Sequence, residues 1–351
     1  MRISDGTDEG KEHAVLVNAH IDSTLPSPGA ADDALPVGVM LETARNLIET
    51  PSWSPRHAVI LLFNNAEESL QDGSHLYSKQ HSTRSTVRAV LNLEACGTTG
   101  GELLFQATSE QMIDAYARVP YPNGHVVAND IFSSGIIMSD TDFRQFELYL
   151  DITGLDMAVV GNSYFYHTRK DTIENLSPGL AQHMAENTLA LIKYLSAEQS
   201  PLPELQEGYK KPSIVYFSIF SKLFYRYDFA TANTLHLILF IASLGLIRLS
   251  MPLGSPYRPP AVKKTRGERP PQDDVKLLLA LHIQQSKWAR ETSWFAHLRS
   301  VAMVLVAFIG SMISVNVVAW MMTSVLNRPL SWFRVEYSCL FLYGPAALAG
   351  K

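Results

Sequence analysis

Three features of the sequence predict an α/β fold with a mainly parallel, mixed sheet sandwiched by helices, followed by a transmembrane α-helical region. Short all-apolar runs alternate with helix-spaced segments over the first two hundred residues. Acidic and imidazole side chains recur where those apolar runs end. Beyond residue 229 come two long runs with no charged residue, Ala230 to Ile247 and Val301 to Leu326.

AVLVNAH (14–20) is the first β-rich run, and the i, i+3, i+4 apolar spacing from Val37 to Ile48 predicts a helix. AVILLFN (58–64) is a second strand, followed by a helix over Ser69–Gln80. Val87–Leu93 and Glu102–Ala107 are strand-like, and a further helix runs over 178–195. Strands that alternate with helices imply parallel crossovers, and such sheets bind ligands in the loops at their carboxyl ends. With 46% hydrophobic and 18% charged residues, 20 Gly, 19 Pro and 2 Cys, disordered, collagen-like and disulfide-scaffold classes are excluded. A net charge of −5 argues against nucleic acid as a partner.

Residues 1–200 are therefore expected to form the α/β domain, with its opening elements missing before residue 1. Residues 201–229 form a linker and an aromatic-rich juxtamembrane segment, IVYFSIFSKLFYRYDF. Residues 230–351 are expected to form a membrane region with spans over about 230–248, 301–326 and 333–350, the last expected to be cut off at Lys351. From Arg248 to Arg299 ten Lys and Arg stand against four acids, which places loop 249–299 in the cytosol by the positive-inside rule. The α/β domain, one crossing earlier, is then expected on the lumenal side, in keeping with a glycosylation sequon at Asn175-Leu176-Ser177.

The chemistry is carried by six short stretches. His20-Ile21-Asp22 closes the first strand, where strand alternation puts His20 and Asp22 on one side, so Asp22 could fix the tautomer of His20. Asp32 and Asp33 end a Gly-containing loop, and Glu67-Glu68 closes the second strand. Glu94 ends the apolar run VLNLEACG, and His167 lies in YHTRKDT. SDTDFR supplies Asp140 and Asp142, for which a structural role is expected. Each has an ordinary reading: a surface His–Asp pair, an N-cap at Asp32-Asp33, a dipole-favoured helix start at Glu67-Glu68. Glu94 is the least easily explained, because a carboxylate ending an apolar strand needs a partner. Together, each at a strand end, they point to a metal-dependent enzyme.

In this order, HIDS, GAADD, NNAEE, NLEACG, SDTDFR and YHTRKDT resemble the co-catalytic di-zinc aminopeptidase family. With membrane helices behind them, they are most similar to its endoplasmic reticulum metallopeptidase and vacuolar membrane protease branch. The resemblance implies a zinc exopeptidase-like fold with two zinc ions per chain. It implies His20, Asp32, Glu68, Glu94 and His167 as ligands, with Asp32 bridging, and Glu94 where many soluble relatives carry Asp. It further implies Glu67 as general base and Asp22 as the residue that orients His20. The expected activity is hydrolysis of peptide bonds, as an aminopeptidase acting on peptide or protein substrates. The expected home is the multi-pass endoplasmic reticulum membrane, with the vacuolar membrane as the alternative. Two other functions stand beside it: a single-zinc glutaminyl cyclase and a catalytically silent membrane scaffold.

Overall fold

The computed structural model describes residues 1–137, 139–250, 298–326 and 338–349, which divide between one compact unit over Met1–Ile238 and a second over Leu239–Lys351. The first unit is built on a six-stranded sheet. Its strands are β1 (Arg2–Ile3), β2 (Ala14–His20), β3 (Ala58–Asn64), β4 (Val87–Ala95), β5 (Leu103–Ala107) and β6 (Thr153–Val159), in the order β1-β3-β2-β4-β6-β5. The four inner strands are parallel, and β1 and β5 close the two edges antiparallel. The sheet is mixed and mainly parallel, as expected.

Helices α1 (Leu35–Ile48), α4 (Glu110–Tyr116) and α7 (Leu180–Leu195) join one apolar cluster with Val15, Val17, Leu61 and Leu91. Helices α3 (Asp72–Gln80) and α6 (Asp142–Leu150) cover the other face through Tyr77, Phe143 and Phe146 against Leu16, Ile60 and Val90. Successive strand residues thus enter opposite cores, which is why β2 and β6 are buried at every position.

Three departures from the sequence expectation bear on function. The helix expected over 69–80 is two: α2 (Glu67–Leu70) and α3, separated at Gln71, which takes φ 58. The break follows from Gly73, where a Cβ would lie 2.1 Å from Asn64 Oδ1 and 2.2 Å from the Asn65 carbonyl, so α3 abuts the end of β3 and the chain must turn before it. Strand β6 lies outside the expected elements, because Asp156 interrupts its apolar pattern. Helices α5 (Val126–Ser133) and α6 are likewise additions to them.

The aromatic-rich segment folds as an antiparallel hairpin, β7 (Ile214–Ile219) and β8 (Leu223–Asp228). It runs directly into α8 (Phe229–Ser250). Helix α8 and α9 (Leu298–Val325) are long and apolar enough to cross a membrane. The last described helix, α10 (Ser338–Ala349), contains Pro345. The expected basic loop 249–299 and the first residues of the expected third span lie almost wholly outside the described residues.

Candidate active site

The site assembles at the carboxyl end of the parallel strands. His20 is the last residue of β2 and is 1% exposed. Its Nδ1 lies 3.0 Å from the Asp22 carbonyl oxygen and 3.5 Å from the Asp22 carboxylate, so the main chain of Asp22 holds the ring more closely than its side chain does. The Asp22 carboxylate also accepts the amide N–H groups of Glu67 (3.3 Å) and Glu68 (3.2 Å) at the start of α2. Those amides face it because Ala66, with φ 63, turns the chain sharply out of β3.

Asp32 reaches the centre through a loop that only glycine can make. Gly29 has φ 72, and a Cβ there would lie 2.6 Å from Ser23 Cβ and 2.8 Å from the Asp32 carbonyl. The loop is clamped from the other side by Asp171, which is 1% exposed. Its carboxylate accepts the N–H groups of Ala31 (2.7 Å) and Asp32 (3.2 Å).

So held, the Asp32 carboxylate faces both imidazoles. Oδ1 lies 3.3 Å from His20 Nε2, and Oδ2 lies 3.1 Å from His167 Nε2. Around His20 stand Glu94 Oε2 at 3.5 Å and Asp33 Oδ2 at 4.0 Å; beside His167 stands Glu68 Oε2 at 3.1 Å. Two groups of ligand-type atoms result, His20–Asp32–Asp33–Glu94 and Asp32–Glu68–His167, joined through Asp32. Glu67 lines the same cavity of about 950 Å³, which also has an apolar part, with Leu103, Phe105, Ile131, Phe132 and Val160, and a polar part with Ser139, Asp140, Thr141 and Arg144. Tyr166 stacks on His167 with ring centroids 3.6 Å apart. Cys96 also lines the cavity, its thiol pushed up to about 12 by burial and by Asp32 and Glu94.

The protein alone leaves this charge unresolved. Burial pushes Glu67 up to about 9, with Glu94 adding to it, and pushes Glu68 up to about 7, with Asp32 adding to it. Burial also raises Glu94, and it raises Asp33 well above the usual carboxylate range. His20 sits far above its ordinary value despite its burial, because the carboxylates of Asp32 and Glu94 face it. Both imidazole Nε2 atoms are buried without a hydrogen bond although carboxylate oxygens surround them. Unpaired imidazole nitrogens and too many buried carboxylates fit divalent cations bound by nitrogen and oxygen donors, and zinc takes this donor set.

Beneath the ligand-type atoms runs a buried polar chain on the α6 side of the sheet. Asn92 donates to Glu94 Oε1 (3.2 Å) and to Asp156 Oδ1 (2.9 Å). Asp156 also accepts from Gln106 (3.0 Å) and Thr141 (2.6 Å). Asn18 joins Asn92 to Asp142, which also accepts from Asn64 (2.6 Å). Asp142 is thus wholly buried support, whereas Asp140 is an exposed partner of Arg144.

Every residue singled out as a ligand, base or orienting group comes to this one place. Sequence reasoning assigned nothing to Asp171, to the Asn92–Asp156 pair, or to Asp33 beyond its neighbour's role; Asp33 accepts the His20 N–H (3.0 Å) and ties loop to strand. For the Asn92–Asp156 pair the available signal was Asn and Asp inside otherwise apolar strands.

A mainly parallel α/β sheet with imidazoles and carboxylates converging at its carboxyl edge is an arrangement able to hold metal ions. The chain belongs to peptidase family M28, whose model matches residues 2–192. It is 43% identical over 349 residues to "Putative endoplasmic reticulum metallopeptidase 1" of Schizosaccharomyces pombe, covering 99% of this chain and 37% of that protein. It is 33% identical to "Endoplasmic reticulum metallopeptidase 1" of Homo sapiens, covering 97% and 34%. To "Vacuolar membrane protease" of Aspergillus fumigatus it is 34% identical, covering 68% and 25%. The chain therefore spans about a third of the length of the longest-matched curated relatives.

Proposed function

We propose that this chain is the catalytic part of a membrane-anchored zinc aminopeptidase with two zinc ions per chain. The observation that carries the reading is the Asp32 carboxylate, with one oxygen 3.3 Å from His20 Nε2 and the other 3.1 Å from His167 Nε2. His20, Asp32 and Glu94 would hold one ion and Asp32, Glu68 and His167 the other, with Asp33 close to the first. When bound, zinc lowers the pKa of a water molecule towards neutrality and polarises a carbonyl.

The chain's own residues supply the rest. Glu67 is fixed at its backbone by Asp22 and stands in the cavity wall. It takes the proton from the attacking water and delivers it to the leaving amine. Asp22 positions the Glu67–Glu68 corner and His20 together, so we assign it orientation and no proton transfer. The apolar wall of the cavity suits an apolar side chain at the substrate's amino terminus.

The membrane helices, the relatives' names and the basic loop support a multi-pass endoplasmic reticulum protein with its peptidase domain in the lumen. Glu67→Gln tests the mechanism. The variant is expected to keep the zinc content of the parent, measured by elemental analysis, and to lose hydrolysis of aminoacyl-peptide substrates. Activity retained with zinc in place removes Glu67 as the base.

A further inference from the structure

Strand alternation gives the β7–β8 hairpin two unlike faces. Tyr216 is 1% exposed and packs with Phe224, which also meets Tyr116 of α4, so this face belongs to the core. The opposite face carries Val215, Phe217 and Ile219 on β7, paired in register with Tyr227, Tyr225 and Leu223 on β8. Phe217 and Tyr225 stack at 5.5 Å, and Tyr227 meets Phe217 edge-on. The β8 side of this six-residue apolar ladder is exposed, Leu223 at 51% and Tyr225 at 46%, with Phe220 at the turn at 89%. Val215, Phe217, Ile219 and Tyr227 are half-buried, Phe217 also meeting the His125 ring at 6.2 Å. A surface of this kind marks an interaction site.

The chain itself names the occupant. Asp228 ends β8 and Phe229 begins α8, so the face is continuous with the first helix able to cross a membrane. Tyrosine and phenylalanine flanked by lysines are the composition of the membrane–water boundary, and Lys210, Lys211 and Lys222 lie at the two ends of the hairpin. A strand pair this long runs about 20 Å, enough to lie along the headgroup layer.

We infer that the Val215–Phe217–Ile219/Leu223–Tyr225–Tyr227 face rests on the bilayer at its headgroup boundary and docks the catalytic unit there. This rests on the membrane reading proposed above. It goes beyond it by assigning lipid contact to one face of a β-hairpin whose sequence shows only an aromatic-rich juxtamembrane segment.

The test uses the full chain, in a C96S/C339S background, reconstituted in vesicles of phosphatidylcholine and phosphatidylglycerol. An environment-sensitive fluorophore is placed singly by L223C, Y225C or F220C, by F308C in α9 as an inserted reference, and by S82C as a solvent reference. Zinc content equal to the parent verifies folding of each variant. The labels at 223 and 225 are expected to shift to the blue and to lose most of their emission when spin-labelled phosphatidylcholine is included, as the label at 308 does. The label at 82 keeps its emission. Quenching at 308 without quenching at 223, 225 and 220 overturns this proposal alone. A blue shift without lipid quenching assigns the face to a protein neighbour and overturns it equally, and loss of quenching at 308 as well overturns the membrane reading with it.

Discussion

The two ends of the central sheet each carry a histidine pair, in opposite electrical surroundings. At the carboxyl end, His20 and His167 face carboxylates of Asp32, Glu68 and Glu94 at 3.1 to 3.5 Å. At the amino end, His13 and His57 meet edge to face with centroids 5.7 Å apart, and Arg88 Nε–H donates to His13 Nδ1 at 3.1 Å. The carboxyl-end imidazoles are held above their ordinary value by facing carboxylates. Both amino-end imidazoles are lowered by burial, with Arg88 adding to His13 and His13 adding to His57. Proximity of imidazoles therefore does not make a metal centre. On the proposed reading the surrounding carboxylates do, because they share a cation's charge where a guanidinium repels it.

The largest expected effect breaks the carboxyl end. Glu67→Gln should lower turnover by about 10²–10⁴-fold at unchanged zinc content. Next, on the proposed two-ion reading, Asp32→Ala should abolish all bound zinc, whereas His167→Ala should lose one ion, counted per chain by elemental analysis. Equal loss in the two variants would dismantle the shared-ligand reading. By contrast, His57→Phe at the amino end should leave zinc content untouched.

A smaller effect is expected one layer below the ligands. Asn92→Ala removes the donor to Glu94 Oε1 and Asp156. It should weaken zinc binding by about 10–100-fold in chelator competition, the range typical of outer hydrogen-bond partners. Replacing Asp140, whose carboxylate pairs with Arg144 at the surface, should not.

The smallest effects are in pH, and they have opposite origins at the two ends. With Glu68 raised to about 7, a proton competes with the cation below that value, so apparent zinc affinity should rise as pH increases through about 7. At the amino end the folded state holds His13 and His57 neutral, whereas the unfolded chain protonates them near 6.5. Stability supplied there is present above 6.5 and lost as pH falls below it, by less than about 1.4 kcal/mol per pH unit for each proton. His57→Phe should flatten that part of the slope in denaturant titrations. An unchanged slope would remove the amino-end pair from the acid response.

Much of the site was legible because its residues end apolar runs. His20, Glu67-Glu68 and Glu94 each follow a hydrophobic stretch, and a polar group there must meet something at the strand's carboxyl end. Asp171 was hidden because exposed Arg169 and Lys170 precede it, and nothing local says that its carboxylate folds back onto the Ala31 and Asp32 amides. Strand β6 was hidden for the converse reason: Asp156 breaks an apolar run, and only the register Asn92 to Asp156 reveals the neighbour that satisfies it.

What the residues themselves settled was periodic: which stretches are strands buried on both faces, which runs are long and uncharged enough for lipid, and where carboxylates and imidazoles stand relative to strand ends. Those are properties of neighbours along the chain, and side-chain period reports them directly. What only the folded arrangement decided was pairing across it: Asp32 between two imidazoles, Asn92 beneath Glu94, the break at Gln71 and the outward face of the hairpin. Such pairings join residues up to 140 positions apart, as from Ala31 to Asp171. They arise from strand order and register, which local pattern does not contain.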